Sequence, residues 1–204
     1  MWGVMTTLVS LRALVRRDLK DEDAANYRWT DDEIDRAIDK ALADYSLYRP
    51  LQVRTTLPTT ADSNEVSLAT LSDLIDVLRV EHPITDRPYP SRRFSLWSGA
   101  LTFLDDYQGD GGNCYVYWLR RHTIGASSTV PAAHEHIVAL GAAAHAVSSQ
   151  AQYHVDLANT GGQKVDNDYG AWSRDMFSRF YQALKSIRTY NPRKIKTANM
   201  STEG

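Results

Sequence analysis

Six histidines are the first residues here with the chemistry for a metal site, above all His134-Glu135-His136 followed by His145 and His154. Two side chains on a helix serve one ion when they lie three or four residues apart, because only those positions share a face. Positions 134 and 136 point about 200° apart on a helix, and the next two steps are nine residues each. The pattern His-Glu-x-x-His does not occur, and no acidic residue completes the set. A metal-dependent hydrolase using His134 and His136 is therefore an alternative that the spacing does not favour. The plainer expectation is that these two decorate a helix start while His145 packs among alanines.

Other chemistry fares no better. Asp105-Asp106-Tyr107-Gln108-Gly109-Asp110-Gly111-Gly112 has the carboxylates of a calcium loop, but Gln108 occupies the third position counted from Asp106 and Tyr117 stands where a bidentate Glu is needed. The segment reads as a glycine-rich hairpin turn. It is no phosphate cradle, since neither Lys-Ser nor Lys-Thr follows and a strand comes next. Cys114 is the only thiol and falls inside an alternating strand pattern, where a buried, inert cysteine is usual. No Gly-x-Ser-x-Gly elbow is present. The expectation is a protein with no catalytic residues, no cofactor and no metal.

The C-terminal stretch differs in kind. From Lys185 to Lys196 there are five basic residues, Lys185, Arg188, Arg193, Lys194 and Lys196, and no acidic one, with Tyr190, Pro192 and Ile195 between them. Charge steers such a segment to a partner, and the aromatic, proline and aliphatic give it groups to dock with. The competing reading is a frayed, solvated terminus.

Composition bounds the rest. The chain has 204 residues with 43% hydrophobic and 24% charged, the balance of a globular protein with a real core. Its formal charge of −2 weighs against a dedicated nucleic-acid binder, which needs a clear basic surplus, though not against a protein that lets DNA pass. One cysteine excludes an intramolecular disulfide and suits a reducing compartment. The apolar run Trp2–Leu11 has no basic segment before it and is interrupted after its end by Arg12, Arg16 and Arg17, so neither a signal peptide nor a membrane span is expected.

The elements that must position these residues can be read from periodicity. Leu8, Leu11, Val15 and Leu19 predict an amphipathic helix over about 7–20. Thr30 with Glu33 forms a capping box for a second helix, Asp31 and Asp32 suit its positive end, and Trp29 can staple against Ile34. That helix carries an apolar stripe from Ile34 to Tyr45 and a polar face of Asp35, Arg36, Asp39, Lys40 and Asp44, expected to be solvated or to meet a polar partner; Pro50 ends it. Strands are expected near Leu51–Leu57, Glu65–Leu68, Val77–Pro83, Arg93–Trp97, Leu101–Leu104 and Asn113–Arg120, the last with aromatics on both faces and therefore central. An alanine-rich helix from Ala132 to about Asp156, with Pro131 in its first turn, and a last helix from about Asp168 to Arg188 complete the pattern. The fold class is α+β: a helical bundle formed by the N- and C-terminal helices (1–50 and 129–188), with a mainly antiparallel β-module inserted at 51–128 and an extended tail at 189–204.

In this order the features resemble the adaptor, or head-completion, proteins of the head-to-tail connector in tailed bacteriophages. The resemblance rests on Leu11–Leu19, on Tyr27-Arg28-Trp29-Thr30-Asp31-Asp32-Glu33-Ile34-Asp35-Arg36-Ala37-Ile38, on Tyr115-Val116-Tyr117-Trp118 with His122-Thr123, and on Val130-Pro131 leading into Ile137–Ala144. It covers roughly residues 8–190. It implies a structural virion protein without catalysis: a homo-oligomeric ring, usually twelve-fold, beneath the portal protein at the neck, assembled in the host cytoplasm. Such a ring extends the DNA channel, with double-stranded DNA as passing cargo and no membrane partner, and offers a surface to a downstream stopper or tail protein. In that family the C-terminal segment commonly reaches the portal, so the residues expected to dock there are Arg188, Tyr190, Pro192, Arg193, Lys194, Ile195 and Lys196. The β-module departs from the compact, nearly all-helical adaptors. It leaves open a second structural role, a stopper or tail terminator using that module as its main assembly surface.

Overall fold

The computed structural model describes residues 7–85, 87–159 and 168–189, with backbone alone for 154–159. The chain is α+β, and the described residues fall into two compact units: one from the stretches up to Arg49 and from His122 onward, the other from Pro50 to Arg121.

The first unit is helical. Helix α1, Leu8–Leu19, starts at Thr7, whose side chain accepts from the Ser10 N–H while the Ser10 hydroxyl accepts from the Thr7 N–H. It ends at Lys20 in the left-handed region, φ 56°. Helix α2, Asp31–Tyr48, opens on the expected capping box of Thr30 and Glu33, with three acidic residues in its first turn. Helix α3 spans Glu135–Asn159 and α4 spans Tyr169–Ser186, with Asp168 capping the Ala171 N–H. The sequence places Ala132 inside α3, but Ala132–His134 form a short 3-10 turn behind Pro131 and the α-helix begins at Glu135.

The faces meet as the periodicity requires. Leu11, Val15 and Leu19 of α1, Ile34, Ile38, Leu42 and Tyr45 of α2, the alanines of α3 and Met176, Phe180 and Leu184 of α4 share one buried cluster. Gly141 in α3 sets the approach of α4: a Cβ there would lie 2.5 Å from the Phe180 ring, so only glycine admits the aromatic. Trp29 is buried in the same cluster as Ile34, and its indole N–H donates to the Ala146 carbonyl at 3.4 Å.

The second unit consists of antiparallel strands: β1 Leu51–Pro58, β2 Glu65–Ser67, β3 Leu74–Glu81, β4 Ser91–Arg92, β5 Phe94–Trp97, β6 Ala100–Phe103 and β7 Asn113–Arg120. They make a four-stranded sheet in the order β1-β7-β3-β4 and a three-stranded sheet in the order β2-β6-β5. Leu57, Val77, Val80, Cys114, Val116 and Trp118 of the first sheet pack with Val66, Leu101 and Phe103 of the second in one core. Strand β7 is central, pairing with β1 and β3, in keeping with its two-sided pattern. Strand β3 begins earlier than the alternation suggests and stops before Pro83, which has no N–H for the ladder. Strand β4 is too short to leave a period in the sequence.

Residues 122–128, grouped by sequence with the β-module, instead go with the helices. The His122 N–H donates to the Ser46 hydroxyl at 2.9 Å, and its ring nitrogens face the Arg49 and Thr129 carbonyls at 3.0 and 2.9 Å.

Candidate functional site

The residues singled out for metal chemistry do not converge. His134 meets the Tyr45 hydroxyl through Nδ1 at 2.7 Å, while His136 is exposed. His145 lies in α3 among alanines but also reaches the Asp44 carboxylate at 3.1 Å and packs edge-on to Phe177 at 4.9 Å between ring centroids. The His154 side chain lies outside the described residues. Among the described residues no group of three or more His, Cys, Asp or Glu is placed to hold a metal ion, and no helix among them is long and apolar enough to cross a membrane.

The glycine-rich segment uses its groups internally. The Asp110 carboxylate accepts from the Gly112 N–H at 2.8 Å and meets Nε2 of the fully buried His82 at 3.0 Å; the Gly112 bond, ahead of the His82 contact, holds this carboxyl below the usual range. His82 Nδ1 faces the Tyr107 hydroxyl at 2.8 Å. Arg92 donates to the His82 carbonyl at 2.7 Å and lies over the Tyr107 ring. Gly109 is pressed against Thr59 and Thr60, with no room for a Cβ. Cys114 is buried, and burial pushes its thiol up, away from the reactive thiolate.

Of the basic C-terminal residues, Arg188 is described, and Tyr190, Pro192, Arg193, Lys194, Ile195 and Lys196 lie outside the described residues. The chain leaves α4 against the end of α2: the Thr189 N–H donates to the Tyr48 carbonyl at 3.2 Å and the Arg188 guanidinium sits 5.8 Å from the Tyr48 ring centroid. The segment that follows therefore starts from a fixed point on the bundle.

Three features escape a reading of periodicity. The acidic face of α2 is partly spoken for, because Asp31 and Asp35 bind Arg12 of α1, Asp31 also binds Arg16, and Asp44 takes His145 and the Tyr181 hydroxyl. Arg16 is buried with Asp21 at 2.7 Å and donates to the Trp29 carbonyl at 3.1 Å, tying α1 to the entry of α2. Second, the hairpin β5–β6 turns through Ser98 and Gly99, both at positive φ, as the Ser-Gly pair between the two expected strands predicts, but it also holds Trp97 81% exposed at its tip, which periodicity does not reveal. Third, one face of the four-stranded sheet carries Arg54, Arg79, Tyr115 and Tyr117, brought together by strand register.

The described residues thus form a small antiparallel β-unit inserted between the helices of an α-bundle. The chain matches the model of the SU10 adaptor protein family over residues 6–190 and belongs to that family. The resemblance to connector adaptors is thereby confirmed. No curated protein matches the sequence. Among solved structures, a chain from the neck of an empty GTA particle aligns at 14% identity and a TM-score of 0.32, covering 70% of this chain and 82% of that one.

Proposed function

We propose that this protein is a connector adaptor of a tailed-phage virion, forming a ring beneath the portal that extends the DNA channel and offers an attachment surface for the next stopper or tail protein. The observation that carries the reading is membership of the adaptor family across both ends of the helical bundle and the inserted β-unit. The anchored exit of the chain at Thr189, leading into the basic segment Tyr190–Lys196, supports portal docking by that segment, with Arg188 at its root. A near-neutral subunit suits a lining that passes DNA without gripping it. Removing residues 190–204 leaves the bundle's described contacts in place, so the truncated protein is expected to fold and to lose its portal partner in co-purification. Undiminished portal binding by the truncated chain would remove the tail from the docking role.

The exposed Trp97 favours a second reading, a different virion ring component such as a stopper or tail terminator that assembles through the β-unit. Co-purification separates the two, because an adaptor binds the portal directly and a terminator does not.

A further inference from the structure

The outer face of the sheet β1-β7-β3 gathers arginines and tyrosines through strand register. Arg54 and Arg79 flank Tyr117 in register, and Glu81 sits beside Tyr115. The Arg54 guanidinium lies 4.6 Å from the Tyr115 ring centroid, and its hydrogen bond with Tyr117 holds its proton more tightly than usual. Tyr89 packs edge-on to Tyr115 at 5.5 Å, and Arg87 donates to the Tyr89 hydroxyl at 3.3 Å. Glu81 is buried and accepts from both Arg79, at 2.7 Å, and Tyr117, at 3.0 Å. Three exposed guanidinium groups thus stand on a platform of half-buried tyrosines, and Glu81 beside them is already used by Arg79 and Tyr117.

Tyrosine and arginine are the side chains that protein interfaces enrich, and lysine is the one they deplete. Every basic residue between 50 and 121 is an arginine. In that span there are seven arginines against nine acidic residues, 7 − 9 = −2, so it has none of the basic surplus that duplex DNA requires. A carboxylate-bearing protein surface suffers less from that, since it needs only the local guanidinium fork.

The chain carries such a surface itself. Between 21 and 35 there are seven acidic residues and one basic residue, Arg28. Arg12 and Arg16 take Asp21, Asp31 and Asp35; Glu22, Asp23, Asp32 and Glu33 form an exposed acidic edge at the entry to α2, where Glu22 lies 3.7 Å from the exposed Arg17, Asp23 accepts from Asn26, and Glu33 accepts from Thr30. Two different patches of opposite sign are what a heterologous contact between identical subunits uses. We infer that the Arg54–Arg79–Arg87 face with its tyrosines receives the acidic edge around Glu22 and Asp32 of a second copy of this chain. The inference rests on the ring reading only in taking copies of the chain to touch one another.

Charge reversal and its rescue test this in the full chain. Sedimentation velocity at high protein concentration and low salt should show self-association of the wild type that added salt weakens. Arg54→Glu with Arg87→Glu, and separately Glu22→Lys with Asp32→Lys, should each weaken it by about tenfold or more. An equimolar mixture of the two reversed proteins should restore association between them. All four positions are exposed, so the variants are expected to keep the wild-type circular dichroism. A wild type that stays monomeric, reversals without effect, or a mixture that fails to recover overturns the inference. Binding of duplex DNA that Arg54→Glu with Arg87→Glu abolishes would assign the face to nucleic acid and overturn it equally. Rings that both reversed proteins still form on portal particles would leave the adaptor reading standing while removing this one.

Discussion

At the scale of single residues, the molecule's polar chemistry serves cohesion. Arg16 and Asp21 are nearly sealed from solvent, with side chains 7% and 5% exposed, and Asp21 also accepts from the backbone N–H groups of Arg28 and Trp29. Removing the cation strands a buried carboxylate, so Arg16→Met is expected to cost about 3 kcal/mol in chemical denaturation. The histidines around Tyr45 give a pH dependence of definite sign. Burial lowers the proton affinity of His122 and, together with Arg49, that of His134, and burial pushes the Tyr45 hydroxyl up to about 12. The unfolded chain binds protons on these rings more readily than the folded one. Stability is therefore full above the unfolded value of about 6.5 and declines as pH falls from there toward the lower folded values. Denaturation midpoints measured from about pH 7.5 down to about 5.5 should fall, and less steeply in His122→Gln; an identical slope in that variant would remove His122 from the account.

At the scale of elements, helix packing was the most legible part. The capping box at Thr30, the stripe from Ile34 to Tyr45 and the central β7 all follow from local spacing, and the structure has them where that spacing puts them. Local spacing does not reveal which side chains meet across elements. Asp35 and Asp44 look solvated in the sequence because the partners that claim them, Arg12 and His145, lie far along the chain. The Arg–Tyr sheet face was hidden for the same reason, since it exists only once β1, β3 and β7 are set in register. The one glycine of α3 is where packing is tightest. Gly141→Ala drives a methyl into the Phe180 ring and is expected to destabilise by about 2 kcal/mol despite alanine's better helix propensity, read as a lower melting temperature. Trp97→Ser at the hairpin tip touches no core and should leave the denaturation midpoint within about 0.5 kcal/mol of wild type.

At the scale of the whole molecule, near-neutrality is a sum of unlike parts. The stretch at the entry to α2 is acidic, the β-unit presents arginines on one face, and the stretch from Lys185 to Lys196 is wholly basic in its charged residues. Separated signs suit a subunit that meets different partners at different places better than one that holds a polyanion along its length. The proposed portal docking by the C-terminal segment would start from Thr189, where the chain leaves α4 against the end of α2. Full-length protein mixed with portal particles of the same virus is expected, by electron microscopy, to add a ring of density on one face of the portal, absent when residues 190–204 are removed; portal particles that remain bare with saturating full-length protein would rule out the ring.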